Sequence, residues 1–242
     1  MEYSIQLYSC RDAMKENVED TLSKIAKIGY TYVETAGFFG YTAVDFKALL
    51  DNYGLKVSGT HTSFQALDDE SFDATVKFHK TIGTKNVIIP AFKYDESKEQ
   101  LDDFIRFVNR VQPKLEAEGM KLAYHNHSGE FLPTAYGSLV HKEIEERTNI
   151  DFEIDTYWVY NANVDPIATL DRLKDRVHFI HIKDGFLGGE GKPLGKGTAP
   201  VAEVYSKAKE LGIQMVVESE TQMPDGITEA QICFNYLKSL EK

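Results

Sequence analysis

The stretch SIQLYSCRDAMKEN, residues 4–17, decides between the two folds open to this chain. Its first five residues, Ser4–Tyr8, alternate like a half-buried strand. The turn that follows, SCRDAMKEN, contains no glycine. Outward from there the same phrase repeats. Short β-branched or aromatic runs at Thr31–Thr35, Lys56–Thr60, Asn86–Ile89, Lys121–His125, Asp151–Asp155, Val177–Ile182 and Gln214–Glu218 are each followed by an amphipathic stretch. Asn17–Ile28 sets Val18, Leu22, Ile25 and Ile28 at helical spacing, and Leu101–Leu115 does the same with Phe104, Ile105, Val108 and Val111. Gly29, Gly54, Gly83, Gly119 and Gly212 stop helices just before a strand. Strict alternation implies parallel strands joined by right-handed crossovers, in a closed barrel or a doubly wound open sheet. An open nucleotide-binding sheet carries a glycine-rich turn after its first strand. SCRDAMKEN has none, so the expected fold is α/β, a single (β/α)8 TIM barrel over residues 1–242.

A length of 242 residues suits one such barrel, and no linker or low-complexity tract interrupts it. With 42% hydrophobic and 27% charged residues the chain can fill a core. A net charge of −11 lacks the basic footprint of a protein that lives on phosphate backbones, which argues against a nucleic-acid partner. No apolar run approaches the roughly 20 residues of a membrane helix. The opening MEYSIQLYS lacks the basic and apolar regions of a signal peptide, so a cytoplasmic protein without a membrane partner is expected. Cys10 and Cys233 lie far apart and fit a reducing compartment better than a disulfide framework, although spacing alone leaves a bridge open. A homo-oligomer also stays open.

Polar residues at the C-terminal ends of barrel strands are catalytic candidates by position. Those ends carry Glu34, His61, then His125, Asn126, His127 and Glu130, then Asp155, Tyr157 and Trp158, then His181, Lys183 and Asp184, then Glu218 and Glu220. The opposite ends carry little of the kind. Side chains two apart on a strand share a face, which groups Val177, Phe179, His181 and Lys183, groups Glu153, Asp155 and Tyr157, and groups Val216, Glu218 and Glu220. If Asp155, His181 and Glu218 point inward, neighbouring strands deliver one imidazole and two carboxylates to one point. Such a set suits one divalent metal ion, Mn²⁺, Zn²⁺, Co²⁺ or Mg²⁺. The plainer reading is that charged residues at strand ends cap helices or pair with each other, and that lone histidines such as His79 and His178 are structural. Convergence favours a metal, because several carboxylates in one mouth repel unless a cation or a shared proton compensates them.

The phrases LAYHNHSGEF (122–131), FEIDTYWV (152–159), HFIHIKDG (178–185) and VVESE (216–220), with THTSF (60–64) and GKGTAPVAEV (195–204), resemble the sugar phosphate isomerase/epimerase-like branch of the xylose isomerase-type barrel superfamily. The resemblance runs over essentially the whole chain. It implies metal ligation by Asp155, His181 and Glu218. The fourth ligand of epimerase relatives, a glutamate ending strand five, corresponds here to His125; the nearest carboxylate is Glu130, so the choice lies between Glu130 and His125, with Glu130 preferred. The implied reaction is an isomerisation or epimerisation of a small-molecule sugar by proton abstraction next to a carbonyl, through a metal-stabilised enediolate. Glu218 is then both ligand and base, His125 or His127 the facing acid/base, and Lys183 a group that binds a hydroxyl or stabilises the oxyanion, unless it pairs with Asp184 or Glu153. Glu34 and His61 are placed among the substrate-binding residues, with Trp158, Tyr8 and Phe64 as an apolar platform for the ring; each of these three also reads as core packing.

The longest irregular stretch, residues 185–200, contains six glycines. It reads as a mobile lid, less readily as a phosphate cradle served by Lys192 or Lys196, or simply as a solvated loop. Three other functions compete. A repair-nuclease site would need more histidines than the suitably placed His61. A metal-dependent lyase or dehydratase on a keto-inositol or 3-keto-glycoside would use the same proton abstraction. A non-catalytic sugar-binding barrel has no need for so many ionisable groups in one mouth.

Overall fold

The computed structural model describes residues 2–241. Eight parallel strands, β1 Ser4–Gln6, β2 Tyr32–Ala36, β3 Lys56–His61, β4 Asn86–Ile89, β5 Lys121–His125, β6 Asp151–Asp155, β7 Val177–Ile182 and β8 Gln214–Val217, pair in chain order. The ring closes where Ser4 of β1 pairs with Val216 of β8. Helices α1 Arg11–Glu16, α2 Val18–Ile28, α3 Ala43–Asn52, α4 Phe72–Ile82, α5 Lys98–Ala117, α6 Val140–Arg147, α7 Thr156–Asn161, α8 Pro166–Leu173 and α9 Val201–Leu211 lie between the strands in sequence, and α10 Gly226–Leu240 follows β8. The chain is a (β/α)8 barrel, the one of the two folds open to its alternating pattern that the glycine-free first turn favours. Among the described residues no helix is long and apolar enough to cross a membrane.

The two faces of the strands part company chemically. Ile5, Val33, Val87, Leu122, Phe152, Ile154, Ile180 and Val217 belong to the large apolar core that also takes the inner stripes of the helices, such as Leu22 and Ile25 of α2. Each such side chain contributes roughly 1.5–3 kcal/mol on leaving water. The alternate residues form polar contacts across the barrel: Ser4 Oγ lies 2.7 Å from Ser58 Oγ, and Gln6 Nε2 donates to Glu34 Oε1 at 2.7 Å. The five predicted helix-stopping glycines all have φ between 68° and 120°, at Gly54 and Gly29 respectively for the extremes; side chains rarely tolerate that range.

Local chemistry shifts some expected boundaries. β1 ends at Gln6 rather than Tyr8, because Leu7–Cys10 winds into a 3₁₀ turn whose Tyr8 N–H is bonded to Gln6 Oε1 at 3.1 Å. A register shift between Phe152 and Glu153 sets Val177 beside Phe152 and Phe179 beside Glu153. Val177 therefore joins the outer core and does not share a face with His181 and Lys183. Cys10 and Cys233 are both buried and free.

Candidate active site

Strand β6 ends at Asp155, which also opens α7: its Oδ1 accepts the Trp158 backbone N–H at 2.9 Å, while Oδ2 is buried without a hydrogen-bond partner. His181 of β7 stands beside it in register, and β8 runs on the far side with Val216 against His181, so Glu218 emerges two residues later. His125, the last residue of β5, enters from the other flank. Ligand-capable atoms of His125, Asp155, His181 and Glu218 all lie within 4.8 Å of one another, and all four residues are buried. His181 Nδ1 is 3.1 Å from Glu218 Oε2, and His125 Nε2 is 3.7 Å from Asp155 Oδ2. His125 Nε2 is also bare of hydrogen-bond partners. Leaving such buried atoms unpaired is costly. Donors bound at about 2.1 Å to one ion sit roughly 3–4 Å apart. This mixed imidazole–carboxylate set fits a divalent cation.

A second tier lies beneath. His181 Nε2 pairs with Glu34 Oε1 at 2.8 Å and with Glu153 Oε2 at 3.2 Å; His61 Nε2 reaches the same two oxygens at 3.2 and 2.9 Å. Burial, then the neighbouring charge of Glu34, pushes the Glu153 carboxyl up to about 8. Burial works against Glu34 as well, but the imidazoles of His61 and His181 outweigh it and hold that carboxyl down at about 2. The same carboxylates raise His181 well above the ordinary imidazole range despite its burial. In His125, by contrast, burial and the adjacent imidazoles keep the ring neutral. Glu34 was expected to bind substrate. It is instead fully buried on the barrel floor, tied to Gln6 and His181, and supports a candidate ligand from behind. Gln6 went unforeseen, although its place two residues after Ser4 on β1 is the available signal.

Lys183 lies above the upper set. Its Nζ is 2.7 Å from Glu220, 3.4 Å from Glu218 and 3.9 Å from Asp155, and 4.5 Å from the centre of the Trp158 ring. Burial opposes its charge, but Glu218, Asp155 and Glu220 keep it a cation. It pairs with neither Asp184 nor Glu153, the two partners weighed for it. His127 packs against Trp158 with ring centres 5.9 Å apart, and burial lowers its pKa. A cavity of about 490 Å³ opens over this group, lined by Tyr8, His61, His125, His127, Glu218 and Glu220 among others.

Two expected site residues are held elsewhere. Glu130 accepts from Tyr124 Oη at 2.7 Å and from the His127 backbone N–H at 3.0 Å. Tyr124 faces the helix layer, against Phe92 and Phe104, so this carboxylate anchors the loop after β5 and stands apart from Asp155, His181 and Glu218. Of the two residues weighed for the fourth position, His125 is the one brought to them. Phe64 packs edge-on against Phe104 and Phe107 and lines a neighbouring cleft rather than this cavity. Tyr8 does line the cavity, beneath the Arg11 guanidinium at 4.7 Å.

Two carboxylates shape the rim. Asp184 accepts backbone N–H bonds from Gly185, Gly195, Lys196, Gly197 and Ala199 at 2.7–3.2 Å. The glycine amides read as a phosphate cradle are thus spent on the protein's own carboxylate. A Cβ on Gly197 would come within 2.3 Å of Asp184 Oδ1, so the close approach requires glycine. The first half of the segment forms a ribbon, Asp184–Gly185 against Gly191–Lys192, and Tyr157 Oη donates to the Gly189 carbonyl at 2.9 Å. After β8, Glu229 of α10 accepts from Ser219 Oγ at 2.8 Å and from the N–H groups of Gln222 and Met223 at 2.9 and 3.0 Å, which fixes the exit that carries Glu218 and Glu220.

Comparison with known proteins agrees with this architecture. An inosose dehydratase from Geobacillus kaustophilus is 22% identical over 189 residues, 69% of this chain and 61% of the relative, so the chain spans about three fifths of that protein's length. A 2-oxo-tetronate isomerase from Haemophilus influenzae is 25% identical over 219 residues, covering 80% of this chain and 83% of the relative. A solved sugar phosphate isomerase/epimerase from Parabacteroides distasonis superposes with a TM-score of 0.84 at 23% identity, covering 98% of this chain and 93% of the other, a likeness of fold. The model of the xylose isomerase-like TIM barrel family matches residues 22–239, nearly the whole of the ring described above, and the chain belongs to that family.

Proposed function

We propose that this protein is a divalent-metal-dependent isomerase or epimerase of a sugar, working by proton abstraction next to a carbonyl. The observation that carries the reading is the convergence of His125, Asp155, His181 and Glu218 at the floor of the cavity, with Asp155 Oδ2 and His125 Nε2 unpartnered. These four would hold the cation, which when bound supplies Lewis-acid stabilisation of negative charge developing on the sugar's carbonyl oxygen. Glu218 is the base: Lys183 and His181 outweigh its burial and keep it ionised, ready to take the proton. His127 faces it from the far wall as a neutral imidazole that can return a proton. Lys183, locked between Glu218 and Glu220, orients both carboxylates and presents positive charge to a substrate hydroxyl. Tyr8, on the cavity wall, offers an apolar face to the ring, whereas Trp158 does not line the cavity and packs beneath Lys183 and against His127.

A dehydratase is the second reading, favoured by the similarity to an inosose dehydratase. It begins with the same proton removal and ends with loss of a hydroxyl. The test is to load the purified protein with Mn²⁺, Co²⁺, Zn²⁺ or Mg²⁺ and incubate it in D₂O with a panel of ketoses and inososes. Deuterium beside the carbonyl at unchanged formula is expected for the isomerase; loss of water marks the dehydratase. Metal-replete protein that exchanges no proton with any of them refutes both.

A further inference from the structure

A second cleft of about 490 Å³ adjoins the mouth cavity, and Ala91 lines both. Two loops pass from one to the other: Ser63 faces the mouth while Phe64 and Gln65 face the cleft, and Pro90 faces the mouth while Phe92 and Lys93 face the cleft. The small side chain of Ala91 marks the boundary. We infer that this cleft is a distal subsite and that the substrate is a two-part sugar, whose reacting unit sits over His125 and Glu218 and whose second, uncharged ring lies on Phe92. The inference rests on the sugar-processing reading above and narrows its substrate class to glycosides.

The floor of the cleft is aromatic and rigid. Phe92 stacks on Phe104 with centres 3.8 Å apart and planes 6° from parallel, and Phe64 meets Phe104 edge-on. Sugar rings present C–H faces that pack on such surfaces, while their hydroxyls seek planar polar groups at the edge. The edge here carries the exposed Gln65; Gln100 beside it is bonded at both ends of its amide to Glu96. Its charges are already matched: Lys93 pairs with Glu96, and Asp103 with Arg106. Among the described residues that line the cleft no cation is left unpaired for a phosphate, which favours a neutral ring. Each cavity alone falls in the range of roughly 300–1,000 Å³ typical of small-molecule sites, and together they suit a substrate longer than one ring.

The test compares fructose with the keto-disaccharides lactulose, turanose and palatinose in the D₂O assay, using the metal-loaded full chain. At least one disaccharide is expected to exceed fructose in kcat/KM by roughly tenfold, the scale of one aromatic stacking contact. Phe92→Ala should collapse that ratio, and Gln65→Ala, a milder change at an exposed position of the cleft edge, should reduce it. Binding is read separately by calorimetry with lactitol and sorbitol, which have no carbonyl and cannot react. Tighter lactitol binding that weakens in both variants supports the subsite even if no sugar exchanges deuterium, in which case the proposed reaction fails alone. Exchange with fructose at a ratio that neither variant changes, with lactitol and sorbitol bound alike, overturns the subsite and leaves the reaction standing. Absence of both exchange and lactitol binding overturns both.

Discussion

Asp155 does two jobs with two oxygens, and a variant can separate them. Asp155→Ser retains an oxygen to cap α7 but removes the carboxylate from the mouth. Metal content by mass spectrometry should fall to background while the melting temperature stays near that of the metal-free parent. Asp155→Ala also loses the cap and should cost about 1 kcal/mol more. Full metal occupancy in both variants would rule out the ligand assignment. His141 supplies a pH signature away from the mouth. Its ring is stacked between Phe131 and Phe152, and burial, with Arg172 and Arg176 nearby, pulls its pKa from 6.5 down to about 3. The unfolded chain therefore takes up this proton first. The stability owed to a neutral His141 is complete above pH 6.5 and is lost as pH falls from 6.5 toward 3. Between pH 7.5 and 5 that loss is about 2 kcal/mol. Denaturant unfolding of His141→Phe at the two pH values should show a correspondingly flatter dependence; an unchanged slope rejects the assignment. Asp155, His181 and Glu218 could be grouped because alternation holds over the last residues of β6 and β7 and just past the end of β8, beyond the register shift at Phe152. Glu130 misled because its motif neighbours stand at the mouth while its own side chain turns back to Tyr124, a partner on the other face of β5 that spacing along the chain does not reveal.

At the scale of elements, most strands could be read directly: β4, β5, β6 and β7 run between the residues expected for them. α7 could not, because TYWVYN is aromatic and β-branched and shows no helical stripe; its start depends on the Asp155 cap. The loop after β7 was the other blind spot, since five of its amides converge on one carboxylate through long-range geometry. Asp184→Ala leaves those N–H groups without that acceptor and is expected to cost about 3 kcal/mol. Hydrogen exchange should accelerate at residues 195–199 while β7 stays protected. Gly197→Ala, which forces a Cβ into Asp184, should show the same local loosening. If residues 195–199 exchange at the parental rate in the Asp184 variant, the anchor is not that carboxylate.

The whole molecule encloses an unusually polar axis. Glu34, Glu153, Asp155 and Glu218 are all buried, and the cationic groups beside them among the described residues are His61, His181 and Lys183. A cation bound at the upper tier stabilises the folded state by about 2.7 kcal/mol at a hundredfold excess over its Kd. For a chain of this size that is a rise of roughly 5–10 °C. Calorimetry with EDTA and then with added Mn²⁺ or Zn²⁺ should show the fall and the recovery, and a melting temperature indifferent to both would remove the metal from the account. The ring itself has a different consequence. Its seam joins Ser4 to Val216, and near it the Ser219 N–H donates to Ser9 Oγ across 210 residues of chain. On a ribosome, β1 is made first and must wait for β8. Until then β1 and β7 are bare strand edges, open to pairing with another nascent chain. The ring therefore closes only after residue 217 has been made, and truncation before residue 214 leaves a sheet with sticky borders rather than a smaller barrel.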